Sequence, residues 1–226
     1  MISILEAAKA IQEFEKSSLT EQISAIESKL AGADSNIVQS VYPSLGVTTD
    51  LLESAITFKR AARQINVLIH SIGILLSLPK VLEKDEIVEY LSLGAGNTGR
   101  PFDLETNHRI AEFKFINWQG GAESIRQNSL FKDFFLLAEY ETPKRKYLYI
   151  VSKKHPMKFL TGGRSLESVM SRNNKLWLEF QEKYGSCFKM VSEYFEYRKA
   201  EVQLVDISAI IPQFGNAKIG EDNEQE

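Results

Sequence analysis

Pro101-Phe102-Asp103-Leu104-Glu105-Thr106-Asn107-His108-Arg109-Ile110-Ala111-Glu112-Phe113-Lys114-Phe115-Ile116-Asn117-Trp118 alternates apolar and polar residues on both sides of Asn107-His108. A period of two marks a half-buried strand. Asn and His tolerate positive φ, so the stretch predicts an antiparallel hairpin with a two-residue turn at Asn107-His108. That register sets Asp103 opposite Glu112. Asp103, Glu105, Glu112 and Lys114 are expected on one face, and Phe102, Leu104, Ala111, Phe113 and Phe115 on the other, against a core. The run from Ile110 to Ile116 is otherwise apolar, so Glu112 and Lys114 should be part-buried, where charges are costly unless paired or metal-bound.

N-terminal to this hairpin the first 80 residues read as helical. Leu19, Ile23, Ile26 and Leu30 form an apolar stripe, Ser18 and Glu21 have capping-box spacing, and Gly32 can close the helix. A longer helix is expected from Asp50. Its residues Leu51, Ala55, Phe58, Ala62, Ile65, Ile69 and Ile72 step by four and three, a heptad seam. Such a seam serves either a homodimer through the N-terminal helices or packing within one domain. Ala55 and Ala62 keep it narrow and favour packing within the domain.

Beyond Pro79 the periodicity changes. Ile87 to Leu93 suits a strand, Gly94 to Gly99 a flexible connection, Ala122 to Tyr140 a helix, and the aromatic and β-branched run Lys146 to Ser152 a strand. The expected order from Asp50 is helix, strand, strand, strand, helix, strand. Ser165 to Tyr184 reads as one more helix stopped by Gly185, and residues 187–211 as one or two strands. The acidic tail from Asn216 to Glu226 is expected to be disordered. The fold class is therefore α/β, with a mixed central sheet flanked by helices. A helical region over 1–49 precedes a domain over 50–212, whose core is 50–152, and a tail over 213–226.

With 43% hydrophobic and 25% charged residues the chain has the composition of a globular protein with a sizeable core. A net charge of −3 means that any nucleic-acid contact must use a local patch. Cys187 is the only cysteine, which excludes an internal disulfide and a thiolate zinc site. No basic segment precedes the first apolar residues, and the apolar run Ile65 to Pro79 is interrupted by His70 and shorter than the roughly 20 residues of a membrane span. A cytoplasmic protein without membrane contact is expected.

Gly94-Ala-Gly96-Asn-Thr-Gly99 matches a dinucleotide-binding string, but a strand rather than a helix follows it, so a loop at the mouth of a site is the better reading. His70, His108 and His155 are scattered without metal-ligand spacing, and His70 on an apolar helix reads as structural. No serine lies in a nucleophile-elbow context. What remains is the hairpin. Two carboxylates beside an ammonium can hold a divalent metal and a water, the chemistry of phosphodiester hydrolysis.

Pro101-Phe102-Asp103, followed by Glu112-Phe113-Lys114 within this element order, resembles the PD-(D/E)XK nuclease superfamily, the restriction-endonuclease-like fold. One residue is inserted between the Pro and the Asp. The resemblance covers about residues 50–152. It implies that Asp103 and Glu112, with the backbone carbonyl after Glu112, bind Mg²⁺ or Mn²⁺, and that Lys114 orients the attacking water and stabilises charge. Gln127, at the start of the next helix, is similar to the supporting glutamine of the exonuclease-like branch, with Phe131 standing where that motif has its aromatic. Glu53 is the candidate for the glutamate often found on the family's first core helix.

Thr142 to Leu166 carries Lys144, Arg145, Lys146, Lys153, Lys154, Lys158 and Arg164 without an acidic residue, interleaved with Tyr147, Tyr149 and Phe159. This is the expected phosphate-contacting patch. For Lys144 to Lys146 alone, an ordinary edge strand protected by lysines is the alternative reading. The expected function is metal-dependent hydrolysis of nucleic acid, DNA before RNA. A non-catalytic member of the same fold that binds nucleic acid or protein is the alternative, and an interaction protein working through its N-terminal helices a third.

Overall fold

The computed structural model describes residues 2–16, 18–94, 99–115, 118 and 123–216. The core of the expected Gly94–Gly99 connection, the end of the expected strand at Ile116, the expected helix start at Ala122 and almost all of the acidic tail lie outside these residues. Two compact units divide the chain, Met1–Leu68 and Ile69–Glu226.

The first unit is helical, as the stripes require. It holds α1 (Ile4–Glu15), α2 (Leu19–Leu30), α3 (Ser35–Val41), a 3-10 turn at Tyr42–Leu45 and the start of α4 (Thr49–Val81). Ser18 caps α2 by accepting from the Glu21 amide at 3.3 Å. The reciprocal capping box is complete at α1 instead, between Ser3 and Glu6. The long helix begins where the heptad pattern predicts. The boundary between the units falls inside it, at Leu68, rather than at its start.

The second unit continues α4 and adds β1 (Val88–Leu91), β2 (Leu104–Thr106), β3 (Arg109–Lys114), α5 (Ser124–Glu139), β4 (Arg145–Ile150), α6 (Lys154–Leu160), α7 (Leu166–Met170), α8 (Asn174–Tyr184), α9 (Val191–Arg198), β5 (Val202–Asp206), a 3-10 turn at Ile207–Ala209 and α10 (Pro212–Asn216). The five strands lie in sequence order. β1, β2 and β3 pair antiparallel, and β3, β4 and β5 pair parallel. The sheet is thus open and mixed, and its sense changes at β3. Parallel neighbours need a crossover, which α5 supplies between β3 and β4.

Each face of the sheet carries its own core. Ile110, Leu148 and Ile150 pack beneath Leu130, Phe131, Phe134 and Phe135 of α5, with Phe180, Val191 and Tyr194 behind them. Leu104, Ala111, Phe113, Phe115, Tyr147 and Tyr149 face Ile74 and Val81 of α4 and Ile207. β4 is buried on both faces, which explains its near-continuous apolar run. Lys146, buried within it, donates to the carbonyl of Ala138 at 2.8 Å.

Four expectations change. Phe102 packs with the Ile110 face, not with Leu104 and Phe113. The ladder begins only at Leu104, so alternation does not extend back to Phe102. The turn at Asn107-His108 forms, but neither residue has positive φ. Thr106 Oγ1 holds the turn by accepting from the amides of His108 at 3.0 Å and Arg109 at 2.9 Å. Ser165 to Tyr184 is two helices, because Asn173 turns its side chain to cap α8 through the Leu176 amide. Residues 187–211 hold α9 before the strand β5.

By length and composition α4 is a helix that could cross a membrane, and little of its most apolar window is buried. Its C-terminal part packs on the sheet. A Cβ at Gly73 would lie 2.7 Å from the ring of Phe115, so only a glycine allows this approach.

Candidate active site

The hairpin register places Leu104 against Ala111 and Glu105 against Ile110. One step further, the Asp103 amide donates to the Ala111 carbonyl at 3.0 Å. This bond is one position off the Leu104–Ala111 register, so the ladder is irregular at Asp103 and the expected pairing with Glu112 is not part of it. Asp103 is buried, and its Oδ2 accepts from the Phe113 amide at 2.9 Å. Its Oδ1 lies 3.3 Å from Nε2 of His70 on α4. His70 also packs edge-on against Phe115.

Glu112 and Lys114 project from β3 on the α5 side of the sheet, two residues apart. Lys114 Nζ lies 3.2 Å from Glu112 Oε1 and 2.7 Å from Oδ2 of Asp133 on α5. All three side chains are largely buried. Burial pushes Glu112 up to about 8, the negative charges of Asp133 and Asp103 add to this, and Lys114 pulls the other way. Burial likewise raises Asp133 against the pull of Lys114. Burial works against the charge of Lys114, but Asp133 and Glu112 outweigh it and hold its pKa above that of an ordinary lysine. The site carries more buried carboxylate than its single ammonium neutralises.

Asp133 is absent from the sequence expectations, although it carries a signal. It is an aspartate between Phe131 and the pair Phe134-Phe135, on the apolar side of an amphipathic helix. His70, read as structural, does bond a buried group, and that group is the site's aspartate. Glu53 belongs to the first unit, where it is exposed on α4.

The other expected residues separate into two groups. Lys144 pairs with Glu89 and Glu105, Arg145 with Glu83, and Lys146 with Glu201. These three are committed to ion pairs at the start of β4; the expected edge strand is not what forms, because β4 lies between β3 and β5. Lys158 and Arg164 instead line a cleft of about 220 Å³ with Trp118, Gln127, His155 and Phe159. The Gln127 side chain accepts from the Arg164 guanidinium in this cleft. Trp118 also lines a second, smaller cavity with Lys114, Arg126 and Ser129. Lys153 and Lys154 are exposed at the start of α6.

Among the described residues, the one group of three or more acidic, His or Cys side chains with ligand atoms within 4.8 Å of one another is Glu83, Glu86 and His108. Glu86 is bonded by Arg109 through Nε at 2.6 Å and Nη2 at 2.7 Å. Glu83 is paired with Arg145 and Arg109. Cations already occupy these carboxylates, so the group is an ion-pair cluster. Asp103, Glu112 and Asp133 offer hard oxygen donors of the kind Mg²⁺ and Mn²⁺ take, and Mg²⁺ needs only one or two carboxylates beside its waters.

No family model, no curated protein and no solved structure matches this chain.

Proposed function

We propose that the chain is a metal-dependent nuclease of the PD-(D/E)XK kind, hydrolysing phosphodiester bonds of DNA. The observation that carries this reading is a lysine held between two buried carboxylates, Glu112 and Asp133, with Asp103 bonded to the amide of Phe113 between Glu112 and Lys114. An apolar core has no use for such a surplus of buried carboxyl groups, whose ionisation burial opposes. A divalent cation relieves it.

Asp103, Glu112 and the carbonyl of Phe113 would hold Mg²⁺ or Mn²⁺. A cation bound there lowers the pKa of water and neutralises charge on the phosphate. Lys114 stays an ammonium because its two carboxylates keep it protonated. It therefore acts as a hydrogen-bond donor and a fixed positive charge, orienting water and stabilising the charge that develops on the phosphate. Asp133 is a positioning residue that fixes the ammonium. His70 and the Phe113 amide fix the two oxygens of Asp103.

The test is incubation of the purified protein with plasmid, linear DNA and RNA, each with Mg²⁺, Mn²⁺ or a chelator. Cleavage with metal by wild type, lost in Asp103→Ala, Glu112→Ala and Lys114→Ala, supports the proposal. A wild-type protein that binds nucleic acid and cuts none of these substrates with either metal is a non-catalytic binder of this fold.

A further inference from the structure

The cleft beside Trp118 has the chemistry of an anion site. Lys158 and Arg164 line it together with the imidazole of His155 and the aromatic rings of Trp118 and Phe159. Among the described residues no carboxylate lines it, and Lys158 forms no ion pair. Arg164 is held in place, its guanidinium donating to Gln127 and its Nε to Ser168 Oγ at 3.3 Å. Both acceptors are neutral, so its charge is unspent. Gly162 shapes the rim: a Cβ there would lie 2.9 Å from the carbonyl of Lys158, so a side chain cannot fill the turn that follows α6. At about 220 Å³ the cleft is smaller than the roughly 300–1,000 Å³ typical of a complete small-molecule site. It suits one group of a longer ligand.

We propose that this cleft seats a phosphate of the nucleic-acid strand, on Lys158 and Arg164, next to the phosphodiester that reaches Lys114. Trp118 lines both cavities, which puts the two phosphate positions on neighbouring stretches of one strand. Phosphate binding in the cleft stands on its own residues. Its assignment to a strand being cut rests on the nuclease reading.

The experiment uses the full chain in chelator, so that cleavage plays no part. Trp118 and Trp177 are the two tryptophans, and Trp177→Phe leaves Trp118 as the reporter. Single-stranded oligonucleotides with and without a terminal phosphate are titrated, with inorganic phosphate as competitor. The oligonucleotide should change Trp118 emission, and inorganic phosphate should reverse the change. Lys158→Gln and Arg164→Gln should each weaken binding about tenfold, as loss of a charged hydrogen bond does. Lys158 is exposed, so its variant tests the site without endangering the fold.

Equal binding of the two oligonucleotides places an internal diester in the cleft, and binding only of the phosphorylated one places a strand end there; either supports the site. Variants that bind like wild type, or phosphate that does not compete, overturn it. A protein that passes these binding tests yet cuts nothing with any metal keeps the cleft and loses the nuclease reading. A protein that cuts normally with both cations neutralised does the reverse.

Discussion

Lys114 on β3 reaches across to Asp133 on α5, with 2.7 Å between ammonium and carboxylate. This contact ties the proposed catalytic strand to the crossover helix. Asp133→Asn should therefore lower kcat about tenfold or more with little change in KM, while Lys114→Ala should cost about 10²–10³-fold. Loss of the Asp133 charge also lets Lys114 deprotonate at lower pH, so the alkaline limb of the pH–rate profile should move down in Asp133→Asn. A profile unmoved from wild type would make Asp133 a structural residue only.

The stability of the metal-free protein should carry the signature of Glu112. Its folded-state pKa is raised from 4.5 to about 8, mainly by burial. A raised carboxylate costs nothing below its unfolded value, and stability is then lost as pH climbs towards the folded value. Glu112→Gln removes the ionisable group. Its melting temperature should exceed that of wild type at pH 8, and the gap should close near pH 4.5. Thermal melts in chelator across this range check the sign.

Glu139, at the end of α5, shows the opposite behaviour. Burial alone would raise it, but hydrogen bonds from Lys183, Tyr194, Tyr184 and Arg198 prevail and hold it at about 2. A depressed carboxylate stabilises above its unfolded value near 4.5, and that contribution fades as pH falls towards 2. Glu139→Gln should lose roughly 1–2 kcal/mol at pH 7, allowing for the solvent that reaches the group. The difference from wild type should shrink in denaturant titrations below pH 4.

Local pattern explains what was legible. The hairpin, the Glu112-Phe113-Lys114 string, α2, the start of α4 and β4 all follow from periodicities within a few residues. Asp133 meets Lys114 across 19 positions of sequence, and no window around either residue contains that pairing. Residues 187–211 mix aromatic and charged side chains because α9 buries Val191, Tyr194 and Phe195 while β5 is only partly covered. Helix and strand periods therefore blur there. The basic stretch is continuous in sequence and divided in space. Lys144 to Lys146 sit beside acidic partners on β1, β2, the segment after α4 and the turn between α9 and β5, while Lys158 and Arg164 face an open cleft.

This division predicts a contrast. Cations that contact phosphate release counterions and set the salt dependence of binding. Neutralising Lys153, Lys154 and Lys158 together should weaken nucleic-acid affinity and flatten its salt slope. Neutralising Lys144 and Arg145 should leave the slope in place and lower the melting temperature instead, since Glu83, Glu89 and Glu105 lose partners. Binding isotherms at several salt concentrations, alongside melts, separate the two sets. Equal slopes in all variants would place the substrate on another face.

Gly73 fixes a distance by what it lacks. With no side chain between α4 and Phe115, the helix rests directly on the aromatic ring. His70, three residues earlier on the same face of α4, is thereby brought to within reach of Asp103. The orientation of the proposed metal-binding aspartate is gauged from the far side of the sheet, by a spacer of zero thickness. Gly73→Ala should act as a shim, pushing the Phe115 ring and the helix apart and lengthening the His70–Asp103 contact, which a structure of the variant would show. Geometry at the proposed reacting end of the hairpin thus depends on a residue that would touch none of its chemistry.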